Sequence, residues 1–181
     1  MDITTIAYLG PATTYSHQAA IKLFGRSNIK YKSYPSITKT IEAVKIGLVN
    51  YAVVPYQNTI NGIIEETTEA MKKSNLVKLK EVEMKIQHNF LSFNTLGKIK
   101  KVYSKKEVFQ QCSKWLENNI PNAILIPTNS TVEGVIQMKK DLTHDSGVIS
   151  SSLSGLMFQI PMIAHQIQNQ KNNKTRFIVI A

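Results

Sequence analysis

The chain has 181 residues, 43% hydrophobic and 19% charged, with a formal net charge of +10 and one cysteine. This length holds one domain or two small lobes with a real core. The lone Cys112 excludes an internal disulfide and a cysteine-rich zinc site, and no apolar run reaches the roughly eighteen residues of a helical membrane span.

In chain order, MDITTIAYLG lacks a basic n-region, so no signal peptide and a cytoplasmic location are expected. TIAYLG reads as a short apolar strand and SHQAAIKLF as a helix. IKYKSY alternates like a strand. SITKTIEAVKIGL is amphipathic, with Ser36 as N-cap and Gly47 near its end. YAVVPY is a buried strand, and IIEETTEAMKK is a helix with acids first and lysines last, as the dipole prefers. LVKLKEVEMKIQHNFLSF is a long β-prone stretch. A second series follows: strand KKVYS, helix KEVFQQCSKWLEN, strand NAILIPT, and helix STVEGVIQMKK capped by Ser130 or Thr131. Strand SGVISS, a short helix SLSGLMFQ and a last strand over 175–181 complete it. Such alternation predicts an α/β fold. The lysines are scattered, as in MKKSNLVKLK and GKIKKVYSKK, with no recognition motif, so no nucleic-acid partner is expected. Their summed charge favours a small anionic substrate. The four histidines (His17, His88, His144 and His165) show no metal-ligand spacing and read as structural or exposed. Cys112 reads as helix packing.

The informative segments follow the strands, where α/β sheets gather ligands: LGPATTYSHQAA, VVPYQNTINGII, VYSKKEVFQQC, NSTVEGV and finally NNKTRF. This ordered set resembles the prephenate dehydratase family, whose motifs look like LGPxGTxSxxAA, VPxENSxxG, SHPxxxxQC and NxTRF. The resemblance spans nearly the whole chain and implies a catalytic domain without the usual C-terminal ACT regulatory domain. It also implies a two-lobed fold like a type II periplasmic binding protein, with the active site in the interlobe cleft. Lobe 1 would be about 1–79 plus 163–181, and lobe 2 about 80–162, with two linkers about which the cleft opens and closes. The implied reaction is decarboxylating dehydration of prephenate to phenylpyruvate in phenylalanine biosynthesis, with no metal and no cofactor. The implied assembly is a homodimer or larger homo-oligomer.

Carried over by motif, the implied catalytic residues are Thr175, Ser104, Gln111 and Asn58. Thr14, Ser16, Gln57, Thr59, Thr131 and Arg176 would bind substrate. Thr175 is either the hydrogen-bond donor to the departing oxygen or a β-branched strand residue. Arg176 either neutralises a carboxylate or pairs internally. Asn58 and Thr59 either bind a carboxylate or ketone, or build an Asx-type turn towards Gly62. Thr14 and Ser16 stand at a helix start that attracts anions, and Ser16 also reads as a plain N-cap. Several positions depart from the family: Gln57 for glutamate, Ala12 and Thr13 for the acidic-Gly pair, Lys105 and Lys106 for His-Pro, and Ser152 and Asn169 for frequent acids. Two other readings use the same fold: a non-aromatising prephenate decarboxylase, and a non-catalytic small-anion-binding protein. The intact TRF triplet favours dehydration.

Overall fold

The computed structural model describes residues 3–181. Eleven strands and seven α-helices alternate along them. The first series is β1 (Thr4–Leu9), α1 (Tyr15–Phe24), β2 (Ile29–Tyr34), α2 (Ile37–Lys45), β3 (Tyr51–Asn58), β4 (Gly62–Ile63), α3 (Glu65–Lys72) and β5 (Lys78–Lys85). The second is β6 (Asn89–Leu91), β7 (Lys101–Lys105), α4 (Lys106–Gln111), α5 (Ser113–Asn119), β8 (Ile124–Thr128), α6 (Thr131–Lys140), β9 (Ser146–Ser150), α7 (Ser152–Phe158) and β10 (Met162–Ala164). β11 (Lys174–Ile180) closes the chain. Among the described residues no helix is long and apolar enough to cross a membrane.

The chain divides into two compact units. One runs up to Ile86 and resumes at Asn172–Ala181; the other is Gln87–Lys171. The first crossing falls after Ile86 rather than after Leu79, because residues 80–85 stay paired with β11. The second falls after Lys171 rather than after Met162. β10 pairs with β6, and Ile167 N–H still donates to the His88 carbonyl. The β-prone stretch 76–93 therefore splits into two strands that belong to different sheets.

In the first unit the sheet order is β2-β1-β3-β11-β5, with β4 on β3. β1 pairs in parallel with β2 and β3, while β11 is antiparallel to both its neighbours. Both faces are covered. Ile37, Ile41 and Ala43 of α2 pack with Ala7, Ala52, Val54, Ile178 and Ile180 on one side. On the other, Ala19 and Ala20 of α1 meet Ile6, Tyr8, Val53, Phe177 and Val179. Burial on both faces explains the unbroken apolar runs in β3 and β11. Each fully buried Val, Ile or Phe side chain among them contributes about 1.5–3 kcal/mol.

The second unit has the order β10-β6-β9-β7-β8. α4 and α5 supply Val108, Phe109 and Leu116 against Phe90, Val102 and Ile149. α6 supplies Val135 and Met138 against Leu91, Tyr103 and Val148. The helix expected over 106–118 breaks at Cys112, whose φ of −116° and ψ of 12° depart from helical values. The α6 cap is Ser130, whose Oγ accepts from Glu133 N–H at 3.0 Å, while Glu133 Oε2 accepts from Asn129 N–H at 2.9 Å. This is close to a capping box.

A polar anchor ties the segment after α6 to β7. Asp141 accepts from Tyr103 Oη at 2.9 Å, Lys101 Nζ at 3.2 Å, Thr143 N–H at 3.0 Å and Thr143 Oγ1 at 2.6 Å. These bonds, led by those from Thr143, hold its carboxyl well below the usual carboxylate range. The contribution is therefore present above the unfolded pKa, near 4, and is lost as pH falls below it. Asp141→Asn is expected to lower the melting temperature at pH 7 by about 5 °C and to flatten its acid dependence below about pH 4. Thermal melts from pH 3 to 7 measure both.

Candidate active site

The first unit brings Asn58 and Thr175 together. β3 and β11 shift register between Arg176 and Phe177: Phe177 lies opposite Pro55, but Arg176 lies opposite Gln57 and Thr175 opposite Asn58. The extra β3 residue, Tyr56, makes a β-bulge, a device that re-aims side chains. Without it Thr175 would face Gln57. Asn58 Nδ2 donates to Thr175 Oγ1 at 2.8 Å, to Asn173 Oδ1 at 2.8 Å and to the Lys174 carbonyl at 3.1 Å. Asn58 Oδ1 accepts from the N–H groups of Ile60 and Asn61 at 2.9 and 3.2 Å. These two donors settle which amide atom is oxygen. The Asx turn read from the sequence is present, and the same residue also grips Thr175. Thr175 is buried at 7% exposure. Its oxygen accepts from Asn58, so its own O–H proton is available for donation.

Other nominated residues of this unit are committed elsewhere. Thr59 Oγ1 accepts from Lys174 N–H at 2.9 Å and lies 3.3 Å from the Asn172 carbonyl. It clamps the turn to the start of β11. Arg176 lies opposite Gln57 on β3 and Glu83 on β5. Its Nε is 3.9 Å from Glu81 Oε1, with both side chains over 40% exposed. The internal pairing is thus realised, in a setting where ion pairs contribute little.

The loop before α1 is tightly folded. Gly10 approaches β2 so closely that a Cβ would stand 2.7 Å from Ser33 Cβ. The cap of α1 is Thr14 rather than Ser16. Thr14 Oγ1 accepts from His17 N–H at 3.3 Å and donates to the Leu9 carbonyl at 2.9 Å. Ser16 is buried as the second residue of the helix. Ala12 is exposed, whereas Thr13 is buried with φ of 73°.

In the second unit Ser104 is fully buried, and its Oγ donates to the Ile149 carbonyl at 2.8 Å. Ser104 therefore retains only acceptor capacity. Gln111 Oε1 lies 2.7 Å from His88 Nε2. An amide oxygen only accepts, so His88 carries its proton on Nε2 and leaves the Gln111 amide nitrogen free to point elsewhere. Ser104 and Gln111 are not bonded to each other. Thr131 is the first residue of α6, partly buried beside the Ser130 cap. Lys105 and Lys106 are exposed. Asn169 donates from Nδ2 to the Gln110 carbonyl and Ser113 Oγ, and accepts at Oδ1 from Lys114 N–H. An acid at this position would lack the donor half. Ser152 is exposed at the start of α7.

Three residues were not nominated from the sequence: Asn173, His88 and His17. Asn173 stands at the asparagine of the NxTRF motif, which was the local signal for it. His88 sits in a β-prone run that gave no hint of a side-chain partner. Cys112 is buried, and burial pushes its thiol up to about 12, so it is no nucleophile at neutral pH. Among the described residues no group of three or more His, Cys, Asp or Glu is placed to hold a metal.

A sequence profile of the prephenate dehydratase family matches residues 6–181. The bifunctional chorismate mutase/prephenate dehydratase of Aquifex aeolicus is 33% identical over 97% of this chain and 48% of its own length. The Escherichia coli protein of the same description is 31% identical, over 97% and 46%. The chain spans about half the length of the curated relatives it matches. In fold, it is similar to a prephenate dehydratase from Arthrobacter aurescens solved with L-Phe. The TM-score is 0.89 at 22% identity, over 98% of this chain and 60% of that one. A Bacillus subtilis lipoprotein described as methionine-binding shares the architecture at a TM-score of 0.52 and 14% identity, over 99% and 83%.

Burial holds the His88 imidazole below its ordinary value, while the Gln111 bond pulls the other way. Burial and Arg26 also lower His17. A lowered histidine leaves stability untouched above the unfolded pKa near 6.5 and erodes it below, by up to ~1.4 kcal/mol per pH unit per group. His88→Gln keeps a nitrogen donor near Nε2 but does not titrate. Its stability, from urea melts between pH 7 and 5, is expected to fall less steeply than that of the wild type.

Proposed function

The chain belongs to the prephenate dehydratase family, and from that premise we propose that it converts prephenate to phenylpyruvate. Prephenate carries two carboxylates and a hydroxyl on a cyclohexadiene ring. Breaking the bond between ring and carboxylate releases CO2 and sends an electron pair through the diene. That pair expels the hydroxyl, which takes one proton and leaves as water. Aromatisation drives the step, and the electrons come from the substrate itself.

The observation that carries this reading is the Asn58–Thr175 pair. A hydroxyl is a weak acid, so Thr175 acts by donating a hydrogen bond to the departing oxygen. The Asn58 amide, by donating to Thr175 Oγ1, fixes the hydroxyl's direction and increases its polarity. Gln111 presents its amide nitrogen through the His88 bond, and Ser104 offers an acceptor. Thr14 and Ser16, at the start of α1, serve an anionic group of the substrate through the helix's first N–H groups. Thr59 and Arg176 support the segment around Thr175, and Gln57 and Thr131 are peripheral binders. A cytoplasmic homo-oligomer, dimer or larger, belongs to the same reading. The intact triplet Thr175-Arg176-Phe177 favours dehydration over decarboxylation that retains the diene.

Product analysis tests the reaction: incubation with prephenate should yield phenylpyruvate, and a product keeping the diene absorption would refute it. Thr175→Val keeps branched shape and strand propensity but removes the donor. It is expected to lower kcat by about 10²-fold or more with little change in melting temperature. Thr175→Ser should recover part of the rate. A valine variant of normal rate would make Thr175 a strand residue only.

A further inference from the structure

We propose that His17 is a positioning residue: its neutral imidazole holds the turn at Thr13 and thereby presents Thr14 and Ser16 to substrate. The inference rests on the anion-binding role given to that loop. Thr13 has φ of 73°, in the left-handed region that β-branched residues avoid. Its peptide groups are gripped from both sides by the first turn of α1. Thr13 N–H donates to His17 Nδ1 at 3.1 Å, and the Thr13 carbonyl accepts from Gln18 Nε2 at 3.1 Å. The turn is thus tied to the helix whose start it precedes, and Thr14 caps that helix directly after it.

The imidazole is itself held in place. It stacks on Tyr8 at 4.5 Å between centroids with an interplanar angle of 23°. Tyr31 meets it edge-on at 5.7 Å. Nδ1 accepts only while unprotonated, so the neutral ring carries its hydrogen on Nε2. A second proton would sit on Nδ1, directed at the Thr13 N–H, and the bond would be replaced by two opposed hydrogens. The charged and titratable groups acting on the ring are few. Tyr8 on β1 and Tyr31 on β2 are both raised by burial and stay uncharged near neutrality. The Arg26 cation adds to burial in keeping the ring neutral. Acidification therefore releases the turn only below the ordinary histidine value. The consequence falls on substrate binding, since the Asn58–Thr175 pair lies on other elements.

The test joins a spectroscopic arm to a kinetic one. In the wild type, the Thr13 amide resonance is expected to titrate with the His17 ring, at one midpoint below about 6.5. His17→Leu keeps bulk but offers no acceptor. It should raise KM for prephenate about five- to tenfold at pH 7.5, leave kcat nearly unchanged, and flatten the acid limb of kcat/KM. Adding Thr13→Gly should bring KM most of the way back down, because glycine holds positive φ without a clamp. A Thr13 amide indifferent to the His17 ring overturns the proposal. So does an unchanged KM in a folded His17→Leu variant, or a glycine double variant that recovers nothing. If the wild type does not turn over prephenate, the proposed reaction fails, and the amide titration alone still decides the role of His17 in the turn.

Discussion

The first unit depends on one strand, β11, hydrogen-bonded along both edges and buried on both faces. Its residues Phe177, Ile178, Val179 and Ile180 are all at most 2% exposed, and the strands beside it, β3 and β5, have no other way to join one sheet. So thoroughly determined a strand can hold a local irregularity. The extra residue at Tyr56 interrupts the ladder, and the surrounding pairing keeps that interruption in place. The polar end of β11 is positioned by the apolar remainder: the core sets where the strand lies, and the bulge sets which β3 residue Thr175 meets.

The candidate groups differ chiefly in which half of their hydrogen-bonding capacity the fold consumes. Thr175 is used as an acceptor and keeps its proton. Ser104 is used as a donor and keeps its lone pairs. Gln111 gives its oxygen to His88 and keeps its nitrogen. Thr59 and Thr14 are occupied in both senses and act as clamps. A hydroxyl's chemistry in a buried setting follows from this accounting more than from its identity. Neutral side chains at Gln57 and Asn169 fit the same pattern. Gln57 lies opposite Arg176 on β3, and Arg176 finds its carboxylate at Glu81 on β5. Asn169 needs both an acceptor and a donor to join α4 to α5.

Histidines prove more informative than the charged residues that dominate the composition. The lysines are mostly exposed, and their ion pairs are short-range and solvated. His17 and His88, by contrast, each hold one group that the sequence nominates or adjoins. Both do so through a single ring nitrogen whose protonation state the partner dictates: Thr13 N–H requires an acceptor, and Gln111 Oε1 requires a donor.

The sequence by itself determined the α/β alternation, the apolar strands, the cap at Ser36, and the segments that carry the family motifs. These are local properties, written in periodicities, capping residues and contiguous strings of side chains. It also pointed to Asn58 and Thr175 as separate functional residues. Only the tertiary structure decided that they are bonded, because their meeting depends on a register shift between strands far apart in the chain. It likewise decided that β5 belongs to the first sheet, since an alternating polar strand such as KLKEVEMK suits the edge of either. The break at Cys112, the His88–Gln111 bond and the left-handed Thr13 turn were not legible beforehand. The first two arise from packing and hydrogen-bond partners contributed by other elements, of which short-range sequence pattern carries no record. The third joins Thr13 to the nearby His17 and Gln18, but a β-branched residue at positive φ runs against its local preference.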